Sequence, residues 1–94
     1  MDDQALLEQR LGMIFDRRMH LTVPSVDTDL FETGGMDSLS FVQLLLELER
    51  EFGVHVSIDV LELDNFRSIA RIATFISGQQ RLQRADAVRP IKRG

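Results

Sequence analysis

The residues of this sequence that best fit a chemical role are Asp37 and Ser38, which directly follow Gly34, Gly35 and Met36. Ser38 begins a stretch without glycine or proline, so we expect it to lie at the N-terminus of a helix. Unpaired N–H groups and the positive end of the helix dipole favour an anion there, and a serine hydroxyl at this point is well placed to carry a phosphate ester. Asp37 could orient a metal ion or a cationic group during such a modification.

The same pair also has an ordinary structural interpretation. Serine and aspartate are preferred helix N-caps, and the glycines before them let the chain turn. Local chemistry alone favours this cap over a modification site. Catalysis is not indicated, because His20 and His55 are the only histidines and have neither catalytic nor metal-binding spacing. We therefore expect exposed loop histidines, no catalytic residue, no metal site and no enzyme activity.

Composition limits what the whole chain can be. Its 94 residues, 44% apolar and 28% charged, are typical of one soluble domain, and no apolar run could span a bilayer. The first residues lack the layout of a signal peptide, so we expect a cytoplasmic protein without membrane insertion. The absence of cysteine excludes disulfides and thiolate nucleophiles. A net charge of −4 without Trp or Tyr disfavours nucleic-acid binding.

Charge divides the chain into two parts. Residues 1–80 hold 6 Lys/Arg and 14 Asp/Glu, a net charge of −8, whereas residues 81–94 hold 5 and 1, a net charge of +4. The second part also contains a proline and few core-forming residues. We therefore expect a folded acidic domain over 1–80 and a flexible basic tail over 81–94.

Helical periodicity predicts the elements that position the Asp-Ser pair. A first amphipathic helix is expected over residues 4–19, with Asp2 and Asp3 near its start, and a long loop over 20–37 follows. The apolar stripe of that helix consists of Leu7, Leu11, Ile14 and Phe15.

Two further helices follow the loop. Ser38–Phe52 forms the second helix and ends at Gly53, and Asn65 is the expected N-cap of a last helix that ends near Gly78. A brief helical turn is expected within 58–63. The predicted fold is an all-α bundle of three main helices plus one short helix.

The second helix is apolar on more than one side. Its core stripe consists of Phe41, Leu44, Leu45, Leu48 and Phe52. A second stripe, Leu39, Val42 and Leu46, lies beside a polar strip of Gln43, Glu47 and Arg50. Either the second stripe stays partly exposed and binds a partner protein, or the long loop and the short helix cover it. Periodicity does not distinguish these alternatives.

Residues 29–54 resemble the acyl carrier protein family, and within it the D-alanyl carrier proteins most. The resemblance depends on Leu-Phe-Glu-Thr-Gly at 30–34, Asp-Ser-Leu at 37–39 and Glu-Phe-Gly at 51–53. With the first helix and the Asn-Phe-Arg-Ser-Ile-Ala segment at 65–70, it covers about residues 4–78.

This resemblance implies a modification site. Ser38 would be esterified by 4′-phosphopantetheine, which a separate phosphopantetheinyl transferase takes from coenzyme A with Mg²⁺, and Asp37 would assist recognition by the transferase. The arm ends in a thiol, which would explain how a chain without cysteine could hold a thioester. Leu39, Val42 and Leu46 match positions that the family presents to partner enzymes, which favours the exposed interface. The expected partner interface consists of these three residues and the polar strip Gln43, Glu47 and Arg50.

The cargo is the least determined part of the resemblance. Gln43 and Arg50 stand where fatty-acid carriers usually have glutamate, which favours an aminoacyl carrier over a fatty-acyl or polyketide carrier. The implied partners are an adenylate-forming ligase and a downstream acceptor enzyme, served by a monomeric carrier. The remaining alternative is an unmodified helical interaction module in which Ser38 is only a cap.

Overall fold

The computed structural model of the chain describes residues 3–33, 35–56 and 62–88. The elements are α1 (Asp3–Met13), a π-helical turn (Ile14–Arg18), α2 (Ser38–Phe52), a 3₁₀ turn (Leu63–Phe66) and α3 (Ile69–Val88). These ranges contain no strand, so the all-α prediction of three main helices and a short one is confirmed. The short helix lies at 63–66; most of the predicted 58–63 turn falls on residues 57–61, outside the described residues.

The first helix differs from its prediction at its C-terminal end. Regular α-helix stops at Met13, and the π turn continues the chain with a bond from Met19 N to Ile14 O at 3.1 Å. The predicted apolar stripe is buried throughout, which confirms it. The wider turn also brings Met19 into the core, and a 3.6-residue pattern does not predict that extra contact.

Helix α2 has the bounds that the sequence predicts. Gly53 ends it in the left-handed conformation at φ 69°, and its N–H donates to Glu49 O at 3.0 Å. Four of the five predicted core residues are buried, and Leu45 is half-buried. The helix therefore packs on one stripe, as an amphipathic helix in a small bundle must.

Two predictions for the last helix are wrong. Asn65 does not cap α3, because it lies inside the 3₁₀ turn; Ser68 Oγ instead accepts a hydrogen bond from Arg71 N at 3.2 Å. The helix also continues through Gly78 to Val88. A single glycine costs a helix only about 1 kcal/mol, which neighbouring helix formers can offset. The remaining residues of the predicted tail, 89–94, lie outside the described residues, and the domain boundary at residue 80 stays a prediction.

A chain of four phenylalanine rings connects the loop, α2, the 3₁₀ turn and α3. Ring centroids are 5.7 Å apart for Phe31 and Phe41, 5.5 Å for Phe41 and Phe66, and 5.1 Å for Phe66 and Phe75. Tilted and edge-on pairs at such distances are favourable beyond their buried area. Aromatic packing therefore fills the interior beneath the first turn of α2. No helix among the described residues is long and apolar enough to cross a membrane.

Candidate functional site

Ser38 is the first residue of α2 and is exposed to solvent. The N-cap before it is Asp37, whose Oδ1 accepts a hydrogen bond from Ser40 N at 2.8 Å. The interpretation of Ser38 as the cap is therefore wrong, because aspartate already fills that role. Within the part of the chain that the structure describes, the Ser38 hydroxyl has no hydrogen-bond partner. It is an accessible hydroxyl at the N-terminus of a 15-residue helix.

The Asp37 carboxylate is held in its ionised form. The backbone N–H of Ser40 and then the Ser40 hydroxyl lower the pKa of Asp37 below its ordinary value. A fixed negative charge thus lies immediately beside Ser38. The sequence gives no signal for Ser40, because the residue that a capping box has three positions after the N-cap is Glu or Gln.

The loop before the site is anchored by Asp29. Its Oδ1 accepts hydrogen bonds from the backbone N–H groups of Phe31 and Glu32, both at 3.0 Å, and its Oδ2 lies 3.2 Å from Arg67 Nη1. The bond from Glu32 N is the largest cause that lowers the pKa of Asp29. Leu30 N also donates to Arg67 O at 2.7 Å. The sequence does not indicate a role for Arg67, because no local pattern joins residues so far apart in the chain.

The last residues of the loop fix the approach to the helix. Met36 is buried, and its N–H donates to Leu30 O at 2.9 Å. Gly35 has a φ of +80°, a conformation that other residues rarely adopt, and an added Cβ would stand 3.6 Å from Leu21 Cδ2. Met36, the residue before the N-cap, is therefore anchored in the core.

The second apolar stripe of α2 is exposed. The exposed fractions are 79% for Leu39, 50% for Val42 and 56% for Leu46. Of the two sequence alternatives, the covered helix is therefore wrong. Gln43 and Arg50 lie beside the stripe and are exposed, and Gln43 Nε2 donates to Arg18 O at 3.1 Å.

Glu47 does not belong to this exposed surface. Only 5% of the residue is exposed, because the π turn brings Arg18 over it. Its Oε1 lies 3.7 Å from Arg18 Nη1, and its Oε2 lies 3.9 Å from Arg50 Nη1. The expectation that Glu47 belongs to an exposed polar strip is wrong, since the periodicity of one helix does not reveal what its neighbour covers.

Metal ligands do not gather in the described ranges. No group of three His, Cys, Asp or Glu side chains there could hold a metal ion. His20 and His55 are both exposed and outside the helices, as expected, and His55 lies 3.8 Å from a Glu49 carboxylate oxygen.

The residues at the start of α2 fit a covalent phosphate ester. Ser38 supplies an exposed hydroxyl, and the helix N-terminus stabilises a phosphate attached to it. Because Asp37 serves as the cap, an ester on Ser38 would cost the helix none of its capping hydrogen bonds.

Comparisons with known proteins agree with this geometry. A family model described as the phosphopantetheine attachment site matches residues 9–76. D-alanyl carrier proteins of Streptococcus pyogenes serotype M1, serotype M5 (strain Manfredo) and serotype M49 (strain NZ131) are each 34% identical over 80 residues, which cover 84% of this chain and 98% of the relative. The chain belongs to the phosphopantetheine-binding family of acyl and aminoacyl carrier proteins. Its cofactor is covalent 4′-phosphopantetheine.

Proposed function

We propose that Ser38 bears the 4′-phosphopantetheine arm and that the protein carries an activated amino acid on it. In this function the carrier moves between an adenylate-forming ligase, which loads the amino acid, and a downstream acceptor enzyme. The observation that carries the proposal is the exposed Ser38 hydroxyl, free of the capping role at the first position of α2.

Attachment requires an accessible oxygen and an environment that tolerates a phosphate. Ser38 Oγ forms the ester bond to the phosphorus next to pantetheine, and the pyrophosphate P–O bond of coenzyme A breaks. Adenosine 3′,5′-bisphosphate leaves, and the hydroxyl proton passes to a base. In this proposal the base and the Mg²⁺ belong to the separate transferase. The ionised Asp37 offers that transferase a fixed charge for recognition. The chain itself is then a substrate and carrier rather than a catalyst.

The arm supplies a terminal thiol that holds an acyl group as a thioester. The chain anchors the loop before the arm in two places, through the Asp29–Arg67 pair and the buried Met36. Leu39, Val42 and Leu46 extend from Ser38 along α2 as the apolar surface for partner enzymes, with Gln43 and Arg50 at its border. A partner on this surface would reach the arm and the helix together.

The packing beneath Ser38 supports a small cargo. Phe41 lies one turn after Ser38 and contacts the rings of Phe31 and Phe66, so the interior at this point is filled. Three clefts lined by described residues have no wall residue in the first turn of α2. An amino acid on the arm needs no cavity in the chain, so a small cargo suits this packing. The printed name of the relatives, D-alanyl carrier protein, also supports an amino acid.

The attachment is tested by incubating the full chain with coenzyme A, Mg²⁺ and a broad-specificity phosphopantetheinyl transferase. We expect one added phosphopantetheine by intact-protein mass spectrometry for the wild type and none for Ser38→Ala. Ser40→Ala is the matched control, because it removes a hydroxyl from the same helical turn and should still be modified. A folded wild type without added mass would contradict the proposal.

The cargo is tested on the modified protein with a panel of adenylating ligases, ATP and single amino acids, D-alanine among them. We expect a second mass increase equal to one aminoacyl group, which hydroxylamine removes because it cleaves thioesters. Fatty-acyl ligases with ATP form the comparison arm. If only the fatty-acyl ligases load the protein, the aminoacyl cargo is contradicted and the protein is a fatty-acyl carrier.

A further inference from the structure

Four of the 6 basic side chains within residues 1–80 gather on one side of the molecule. Arg10 lies on α1, Arg17 and Arg18 end the π turn, and Arg50 lies on α2. We call these four residues the arginine face. This cluster is unexpected, because the same range holds 14 acidic residues. If the charges were evenly distributed, every part of the surface would be acidic on average.

Contacts hold three of the four arginines, Arg10, Arg18 and Arg50, in place. The arginines of α1 and the π turn line a cleft of about 240 Å³ together with Met13, Ile14 and Glu51. Glu51 lies between two of them, 3.7 Å from Arg10 Nη2 and 3.5 Å from Arg18 Nη2. The Arg10 guanidinium also stacks 4.6 Å from the Phe52 ring centroid. Side chains held in this way lose little further freedom when they bind a partner.

The arginine face keeps an excess of positive charge after these contacts. Among the described residues, Glu47 and Glu51 are the two carboxylates that pair with its four guanidinium groups. Within the described residues Arg17 makes no ion pair. The guanidinium groups also remain accessible, since the four arginines are all exposed.

Apolar groups accompany the charges. Met13 is exposed in the cleft, and Leu46 is exposed one helical turn before Arg50. Arginine and methionine are enriched in protein interfaces, where apolar contacts lie at the centre and polar groups at the rim. The arginine face thus continues from the apolar stripe that begins beside Ser38.

We propose that the arginine face binds a patch of carboxylates on the surface of a partner protein. Guanidinium groups match carboxylates in paired hydrogen-bond geometry. Arg50 lies 12 residues after Ser38 on α2, which is about 18 Å along the helix axis. One partner with an ordinary footprint of about 800 Å² covers both Ser38 and Arg50. The inference rests on the proposed function in one respect, that the same partner also reaches the arm.

A partner protein fits this face better than an anionic membrane does. A membrane is an extended negative surface and interacts with the whole domain, whose net charge over residues 1–80 is −8. A compact acidic patch interacts with the arginine face alone, because charges beyond about 10 Å are screened at physiological salt. The local excess of positive charge therefore selects a local acidic partner.

The test is a titration of the ¹⁵N-labelled full chain with a synthetic peptide of alternating glutamate and leucine, followed by NMR. We expect amide shifts at the π turn and the C-terminal half of α2, and Arg17→Glu should raise the peptide Kd roughly threefold or more. Arg71→Glu is the matched control, because it makes the same charge change on α3 and should leave the Kd within about 1.5-fold of the wild type. Arg50→Glu should act like Arg17→Glu.

Three outcomes would overturn the inference. The first is an absence of peptide binding, and the second is an equal effect of Arg71→Glu, which would show that net charge alone matters. The third is tighter binding to vesicles with about one-third phosphatidylglycerol than to neutral vesicles, lost in Arg17→Glu, which would assign the face to a membrane. Arg17→Glu should still gain phosphopantetheine, so failure here is separate from failure of the carrier proposal.

Discussion

The two ends of α2 differ in which side chains they bury and which they expose. At the first turn, Asp37 and the Ser40 groups satisfy one another and leave the Ser38 hydroxyl exposed and unengaged. Three turns later, Glu47 is buried and Arg18 from the π turn lies over it. The comparison shows that one amphipathic helix can be anchored near its C-terminal end and still present, at its N-terminal end, an exposed hydroxyl beside an apolar surface.

The largest effect on stability is expected from the anchored side of the helix. Leu48 is fully buried, so Leu48→Ala should lower the free energy of unfolding by about 2–5 kcal/mol through lost burial and a cavity. Leu39→Ala, on the exposed stripe, should change it by less than about 0.5 kcal/mol. Urea unfolding followed by circular dichroism measures both. Equal losses for the two variants would mean that the apolar stripe is not exposed.

A smaller effect is expected from the ion pairs of Glu47. Glu47→Gln keeps the shape but removes both pairs, and because Arg18 and Arg50 are partly in water the expected loss is about 0.5–1 kcal/mol. The difference should shrink at high salt. Glu49→Gln is the matched control on an exposed part of the helix. Its contact with His55 is exposed, so stability should change by less than about 0.5 kcal/mol. A gain in stability from Glu47→Gln would show that the desolvation of this carboxylate destabilises the fold more than its ion pairs stabilise it.

The smallest effect on stability is expected from the charge of the Asp37 N-cap, and it is detected by changing the pH. The pKa of Asp37 is lowered in the folded protein, so its ionised form stabilises the fold at neutral pH. That contribution is complete above the ordinary value of 3.8 and is lost as the pH falls through the lowered pKa. Asp37→Ser retains a cap without a titrating group.

Urea unfolding of the wild type and Asp37→Ser at pH 7 and at about pH 3 tests this prediction. The stability advantage of the wild type should be present at pH 7 and decrease at the lower pH. An advantage that is the same at both values would mean that the Asp37 charge contributes nothing to the cap.

The sequence predicts helix α2 better than it predicts the contacts that other segments make with the helix and with the loop before it. The bounds of α2, the core stripe and the position of Ser38 follow from local patterns, since glycine, the Asp-Ser pair and the spacing of leucines act within a few residues. The π turn, the burial of Glu47 and the Arg67–Asp29 pair depend on contacts between distant segments. Periodicity within one helix carries no information about those contacts.

The position of the helix ends shows the same limit. Asn65 is a suitable N-cap by residue type. In the structure, however, Leu63–Phe66 form a 3₁₀ turn that buries Phe66 against Phe41 and Phe75. Tertiary packing of one aromatic ring therefore moves the start of α3 to Ile69.

The most direct test of the central claim locates the arm on the chain. The wild type is modified with coenzyme A, Mg²⁺ and a broad-specificity transferase, digested, and sequenced by tandem mass spectrometry across the first turn of α2. We predict a single phosphopantetheine on Ser38 and an unmodified Ser40. Modification at Ser40, or at any residue other than Ser38, would contradict the claim that the cap leaves Ser38 free to carry the cofactor.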